Sequence, residues 1–214
     1  MSGDTSNRQS SSSNPRPSSK RLSTAPTAPR APTNLDPTCT IASHALLTGH
    51  YSISVGANAI LHPYSKIVSS QGLVEIGEGS MLWEKSVVGI DGVGGLEAGA
   101  EEKVTHLGKN VVVETGAIVE AGVVIGNGTL VESFTRIGEG SVIGKYCKIM
   151  TQISLSPGSV LEDYTIVYGP NQRRKDKTME RNHLVEDIKA AAHQKQIKGL
   201  QQLIPSNLAK WQTA

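Results

Sequence analysis

From Leu107 to Val167, every sixth residue of the chain is a branched aliphatic, without exception or insertion. A strand repeats its side-chain direction every two residues and a helix every 3.6, so a strict period of six fits neither alone. The pattern is typical of a solenoid, in which short strands alternate with tight corners and coils stack on one another. The positions are Leu107, Val113, Val119, Ile125, Val131, Ile137, Ile143, Ile149, Leu155, Leu161 and Val167.

The positions around these aliphatics support a parallel β-helix. The residue two places before each aliphatic is small or β-branched in nearly every repeat, as an inward strand position requires, and glycines cluster at the corners. With three strands in each coil of about 18 residues, the sequence predicts an all-β domain of about seven coils. The expected inward columns are Val113, Val131, Ile149 and Val167; Leu107, Ile125, Ile143 and Leu161; and Val119, Ile137 and Leu155.

The rest of the chain divides by composition. Residues 1–37 hold nine serines and six of the ten prolines, a composition that favours disorder because it offers little apolar surface to bury. Good helix formers followed by Pro205 predict a C-terminal helix with a bend near residues 195–199. The predicted segments are a tail (1–37), a β-helix (38–170) with a Gly-rich loop insertion (89–106), a basic connector (171–178), a helix (179–204) and a tail (205–214).

The composition excludes several classes of protein. One Phe, two Trp and five Tyr are too few for an aromatic-centred core, whereas a β-helix needs none. A net charge of +2 gives no reason to expect nucleic-acid binding. Two cysteines, Cys39 and Cys147, form no disulfide framework, and Cys147 falls in an inward position. No apolar run suits a membrane span or a signal peptide, so we expect a soluble intracellular protein without direct membrane binding.

The sequence offers one candidate catalytic residue, His106. His106 ends the Gly-rich loop, where an acyltransferase could place a general base, but with no partner or substrate clamp visible in the sequence a surface histidine is the favoured interpretation. Residues 107–167 contain no histidine, so a carbonic-anhydrase-like metal site is disfavoured, and Glu114 with Glu132 is expected to be a solvated acidic pair. We therefore expect no metal, no cofactor and no enzymatic activity.

Aromatic and basic residues on the outside of the predicted prism are candidates for partner binding. Tyr146 and Tyr164 are 18 residues apart and should stack on adjacent coils, and Trp83 is a second aromatic anchor. A stabilising ladder within the chain explains the tyrosines equally well. The expected partner-binding residues are Trp83, Tyr146, Tyr164, Arg173 and Arg174.

The chain resembles the dynactin subunit 6 family within the hexapeptide-repeat proteins. The segments that carry the resemblance are Val55-Gly56, Ile60-Leu61-His62-Pro63, residues 74–79, the interrupted coil at residues 89–106, residues 165–169, and Arg173-Arg174 before the helix. The resemblance covers residues 39–204. It implies a left-handed β-helix and a non-enzymatic subunit at the pointed end of dynactin, in the cytoplasm and associated with the cytoskeleton.

The resemblance also implies partners. Dynactin subunit 5, a second β-helix, would pair with this chain beside the pointed-end actin-related protein and dynactin subunit 4. The complex would support dynein-driven transport along microtubules, so that dynein is an indirect partner, and it would recruit adaptors and cargo. The alternatives are a homotrimeric acyltransferase that uses His106 and an anhydrase-like β-helix that lacks its metal site.

Overall fold

The computed structural model describes residues 1, 3, 29–91 and 102–212. They form a parallel β-solenoid of about six turns, followed by helices at the C-terminal end. The predictions of disorder for residues 4–28 and of a loop for residues 92–101 lie outside the described residues, as do residues 213–214.

Three parallel sheets form the walls of the prism. The first wall contains Thr33–Leu35 (β1), Ile53–Val55 (β4), Val74–Ile76 (β7), Thr105–Leu107 (β10), Val124–Ile125 (β13), Val142–Ile143 (β16) and Val160–Leu161 (β19). The second contains Thr40–Ile41 (β2), Ile60–Leu61 (β5), Met81–Leu82 (β8), Val112–Val113 (β11), Leu130–Val131 (β14), Lys148–Ile149 (β17), Thr165–Gly169 (β20) and the antiparallel Gln172–Lys175 (β21). The third contains Leu46–Gly49 (β3), Lys66–Ser69 (β6), Val87–Ile90 (β9), Ile118–Glu120 (β12), Arg136–Ile137 (β15) and Ser154–Leu155 (β18).

The three predicted inward columns are confirmed by the strand register. Val113 pairs with Val131, Leu107 with Ile125 and Val119 with Ile137, and the same register continues along each wall. All the column residues are buried in one continuous core. Each buried aliphatic side chain contributes about 1.5–3 kcal/mol, so these columns are the main source of stability.

The solenoid begins and ends differently from the predicted boundaries. Strand β1 lies inside the predicted tail. Thr33 pairs with Ile53, and Ile53 pairs with Val74, so these first coils are longer than 18 residues. The period of six does not detect coils of this length. Both ends of the predicted loop 89–106 are strand, in β9 and β10. The connector 171–178 contains strand β21, which pairs with the otherwise open edge of β20.

The C-terminal helix also differs from its prediction. It is divided into Lys177–Arg181 (α1) and His183–Leu203 (α2), and the break lies at Asn182, whose side chain caps α2 by accepting from the Leu184 N–H. No bend occurs at residues 195–199. The apolar face predicted to lie against the prism is exposed at Leu184 and Ile188. The packing surface of α2 centres on Ile197.

Helix α2 runs along the second wall and returns the chain to the first coil. At 1.5 Å per residue its 21 residues span about 31 Å, close to the length of six turns stacked at about 4.8 Å. Ile197 packs against Ile60 and Met81. The predicted tail 205–214 contains a short helix, Ala209–Gln212 (α3), and its Trp211 is buried in the core cluster.

Candidate functional site

The outward side of the first wall changes from polar to apolar along the prism axis. The strand register aligns Ser54 with Glu75, Glu75 with His106, and His106 with Val124. Val142 and Val160 continue this line towards the C-terminal end. One wall therefore places a carboxylate, an imidazole and a column of valines in sequence.

The polar half of this wall contains a hydrogen-bonded pair of titratable groups. The Nδ1 atom of His106 lies 2.9 Å from the Oε2 atom of Glu75, and both side chains are nearly half exposed, at 44% and 47%. A groove of about 380 Å³ opens beside them and is lined also by Asn34, Asp36 and Ser54. When Nδ1 carries the proton and donates to Glu75, Nε2 is left as a proton acceptor.

The sequence pointed to His106 but not to Glu75. The two residues are 31 positions apart, and the spacing of 18 that aligns later coils does not relate them. They meet because the long coil between β7 and β10 returns to register on the first wall, where His106 pairs with Glu75. One sequence signal could have indicated this pairing. The period of six resumes at Ile76 and again at Leu107, and these residues directly follow Glu75 and His106.

The apolar half of the wall is exposed. Val124, Val142 and Val160 are 37%, 45% and 65% accessible, although their inward neighbours are buried. Three β-branched side chains at a strand spacing of about 4.8 Å form a flat apolar strip on an otherwise solvated wall. This valine column suits either an apolar ligand or another protein surface.

The predicted stack of Tyr146 and Tyr164 is confirmed, with ring centroids 5.8 Å apart and planes at 6°. Both rings are half-buried and interact with Glu186 of helix α2, to which the Tyr164 hydroxyl donates at 2.8 Å. Gly128 adopts a φ of +68°, and a Cβ there would lie 2.4 Å from Cε1 of Tyr146, so this ring sits in the space that the glycine leaves. The pair holds the chain's own helix.

Charge and burial shift the pKa values of these tyrosines. The hydrogen bond to Glu186 raises the pKa of Tyr164 to about 12, because the negative charge of the carboxylate opposes ionisation of the phenol. Burial, followed by the charge of Glu186, raises the pKa of Tyr146. Neither hydroxyl is therefore suited to release a proton near neutral pH.

The other predicted partner-binding residues lie away from His106: Trp83 lines a cavity of about 330 Å³ together with Tyr146, and the Arg173 guanidinium approaches the Val160 carbonyl at 3.5 Å. Trp83 is half-buried beside helix α2 and stacks on His62 with ring centroids 4.4 Å apart. Burial lowers the pKa of His62, and its Nε2 atom is buried without a hydrogen-bond partner in the described structure. Arg173 and Arg174 are exposed on strand β21. Partner binding by these residues stays a prediction.

The described residues contain no group of three metal-ligating side chains. The expected acidic pair is engaged in ordinary contacts between coils: Glu114 accepts from the backbone and hydroxyl of Ser133, and Glu132 forms an ion pair with Lys148 at 2.8 Å. Burial opposes ionisation of Glu132, but the hydrogen bonds from Lys148 and Thr151 together hold its pKa below the usual value. Within the described ranges, no helix is long and apolar enough to cross a membrane.

No protein-family model and no curated protein sequence matches the chain. Solved structures do match in fold. A Bacillus cereus protein described as an acetyltransferase superposes with a TM-score of 0.64 over 82% of this chain and 98% of its own, at 17% identity. A hexapeptide transferase family protein from Anaplasma phagocytophilum gives 0.53 over 82% and 95%, also at 17% identity.

These neighbours correct one prediction. The expectation that the chain is not an enzyme is wrong, because the solenoid with its C-terminal helix is the fold of proteins described as an acetyltransferase and a transferase-family protein. At 17% identity the likeness shows the shared fold. The chemistry of the chain depends on its own residues, because one fold supports many different functions.

Proposed function

We propose that this chain is a hexapeptide-repeat acyltransferase and that His106 is its general base. The observation that carries the proposal is the hydrogen bond of 2.9 Å between Nδ1 of His106 and Oε2 of Glu75, beside an open groove. A base held in one tautomer by a carboxylate, with its second nitrogen facing accessible space, is the arrangement that proton abstraction requires. We also propose that the solenoid is left-handed, as in the family that the sequence resembles.

The reaction follows from this geometry. Glu75 accepts from Nδ1–H and thereby orients the imidazole, and Nε2 accepts a proton from the amine or hydroxyl of the acyl acceptor. The acceptor's nitrogen or oxygen forms a bond to the carbonyl carbon of an acyl thioester, and the bond from that carbon to sulfur breaks. The thiolate leaves with the electron pair and takes up a proton from the imidazolium.

The valine column extends the site. Val124 adjoins His106 in the strand register, and Val142 and Val160 continue away from it, so they offer an apolar surface to the carbon chain of a bound thioester. Their exposed fractions rise from 37% to 65% along this path. Burial of this surface by the donor would contribute roughly 25 cal/mol per Å².

The test measures release of free thiol from acetyl-coenzyme A in the presence of a panel of small amines and sugar hydroxyls. Removal of the base by His106→Ala should lower the rate by about a hundredfold to ten-thousandfold, the usual contribution of a general base. Glu75→Gln should lower it less, because the amide still holds the ring but does not stabilise the imidazolium.

A matched control separates the site from nonspecific chemistry. His50 is exposed and outside the groove, so His50→Ala should leave the rate unchanged. If the full chain transfers no acyl group to any acceptor, or if His106→Ala is as active as His50→Ala, acyl transfer through His106 is excluded.

A second proposal rests on the valine column as a protein contact. A flat, solvent-exposed strip of three valines fits the wall of another β-helix as well as it fits a ligand. The resemblance to the dynactin subunit 6 family implies that this β-helix would be dynactin subunit 5. It further implies an assembly at the dynactin pointed end, with the actin-related protein and dynactin subunit 4, on the cytoskeleton.

The native mass of the tagged chain distinguishes the two proposals. Copurification with dynactin components in a megadalton-scale particle, lost in Val142→Asp, would support the dynactin role. An assembly made only of this chain, with the same substitution lowering thiol release, would support acyl transfer. A particle that contains dynactin components and is unaffected by Val142→Asp would show that the valine column is not the contact.

A further inference from the structure

Among the described residues, the first coil of the solenoid ends in a strand that pairs on one side only. Strand β1 is the terminal strand of the first wall and pairs only with β4 among the described residues. The Pro32 carbonyl accepts from the Ile53 N–H, and the Asp36 N–H donates to the Val55 carbonyl. Because backbone polar groups alternate in direction along a strand, those of Thr33 and Leu35 point away from β4.

A groove of about 690 Å³ lies along this edge. It is lined by Arg30, Thr33 and Leu35 and by Trp211 of helix α3. The Thr33 hydroxyl donates to the Trp211 carbonyl at 3.1 Å, which fixes the far side of the groove relative to the edge. The space therefore has on one side backbone groups that no described residue pairs with, and on the other a helix turn held in place.

Two cations lie beside Trp211, one of the residues that line the groove. The guanidinium of Arg30 and the ammonium of Lys210 each lie 5.0 Å from the ring centroid of Trp211, and Arg30 also donates to the Lys210 carbonyl. Neither cation forms a salt bridge with a carboxylate in the described parts of the chain. Within the described parts of the chain, the groove thus combines two cations that form no salt bridge with a strand edge that pairs on one side only.

We propose that this edge binds an acidic, extended segment of a partner protein, which adds to the first wall as a further strand beside β1. Backbone pairing with Thr33 and Leu35 would supply affinity, and carboxylates facing Arg30 and Lys210 would supply selectivity. The chain's own residues 4–28 do not fit this description, because they carry four basic residues and one acidic residue.

The probe is a fluorescein-labelled hexapeptide of alternating glutamate and valine, capped at both ends, with binding to the full chain measured by anisotropy. A lysine–valine peptide is the charge control, and a copy of the probe with alternate backbone nitrogens methylated is the pairing control. The probe should bind at least about tenfold more tightly than either control, because one loses the charge complementarity and the other the backbone pairing.

Substitutions test the two sources of binding separately. Thr33→Pro removes the outward N–H of residue 33, which does not pair with β4. This substitution should therefore weaken peptide binding by about tenfold or more. Thr33→Val retains this N–H and controls for the lost hydroxyl contact. Charge reversal by Arg30→Glu with Lys210→Glu should transfer the preference to the lysine–valine peptide.

The proposal fails if the glutamate–valine peptide does not bind, or if the methylated copy binds equally well. It also fails if inorganic phosphate at matched ionic strength displaces the probe completely, because the groove would then be a simple anion site. Should Thr33→Pro not fold, the methylated peptide still decides whether backbone pairing occurs.

Discussion

The Tyr164 hydroxyl donates to the Oε1 atom of Glu186 at 2.8 Å, and this contact joins the last coil of the solenoid to the first turn of helix α2. Tyr164 also stacks on Tyr146 one coil below. The helix is thus held at its N-terminal end by the stacked tyrosine rings and in its C-terminal half by Ile197.

Tyr164→Phe should retain the stack and lower the free energy of unfolding by about 1 kcal/mol, the usual net contribution of one hydrogen bond. The pKa of Tyr164, raised to about 12 from 10, adds a pH dependence: the contact is intact below pH 10 and is lost as the pH rises through 12. Absorbance titration should show a tyrosine ionisation near pH 12 that Tyr164→Phe removes. Tyr168→Phe, at an exposed ring, is the control.

Ile143→Asp should abolish cooperative folding, because Ile143 is 2% exposed and an inward carboxylate in the column has no path to water. Its neighbour Val142 faces outward at 45% exposure, so Val142→Asp should fold normally. Circular dichroism melts of the two variants provide the comparison. Soluble Ile143→Asp protein with a cooperative melt would contradict the inward assignment of this column.

Arg136→Met should cost about 3–5 kcal/mol, because it leaves the buried carboxylate of Glu120 without its counter-charge. The Glu120 side chain is 3% exposed, contacts the Arg136 guanidinium at 2.5 Å and accepts from the Glu139 N–H at 2.8 Å. Lys109→Met breaks an exposed ion pair with Glu78 and should cost less than about 1 kcal/mol. Equal urea midpoints for the two variants would show that the burial of Glu120 is not decisive.

Trp211→Ala should lower stability by about 3–5 kcal/mol, the usual cost of truncating a buried aromatic residue. Trp211 is 5% exposed and belongs to the same core cluster as the inward columns. Gln212→Ala, one residue further along α3 and exposed, should have little effect. A small effect of Trp211→Ala on the melting temperature would mean that α3 does not stabilise the first coil.

Much of the solenoid could be predicted because its determinants are local and repeat. Inward columns such as that of Leu107, Ile125 and Ile143 require one aliphatic at each sixth position, and the spacing of 18 aligns them without further information. The same spacing predicted the stack of Tyr146 on Tyr164 correctly. Wherever coils keep a constant length, the sequence determines both the fold and which side chains are neighbours.

The constant spacing could not predict the candidate site, because the site forms between coils of unequal length. Glu75 and His106 meet only when the long coil between them closes on the first wall. The orientation of α2 was also undetermined, since Leu184 and Ile188 form an apolar face by sequence but the prism packs against Ile197 instead. The sequence period determined the prism. Tertiary packing determined how the long coil returns to the first wall and which face of helix α2 packs against the second wall.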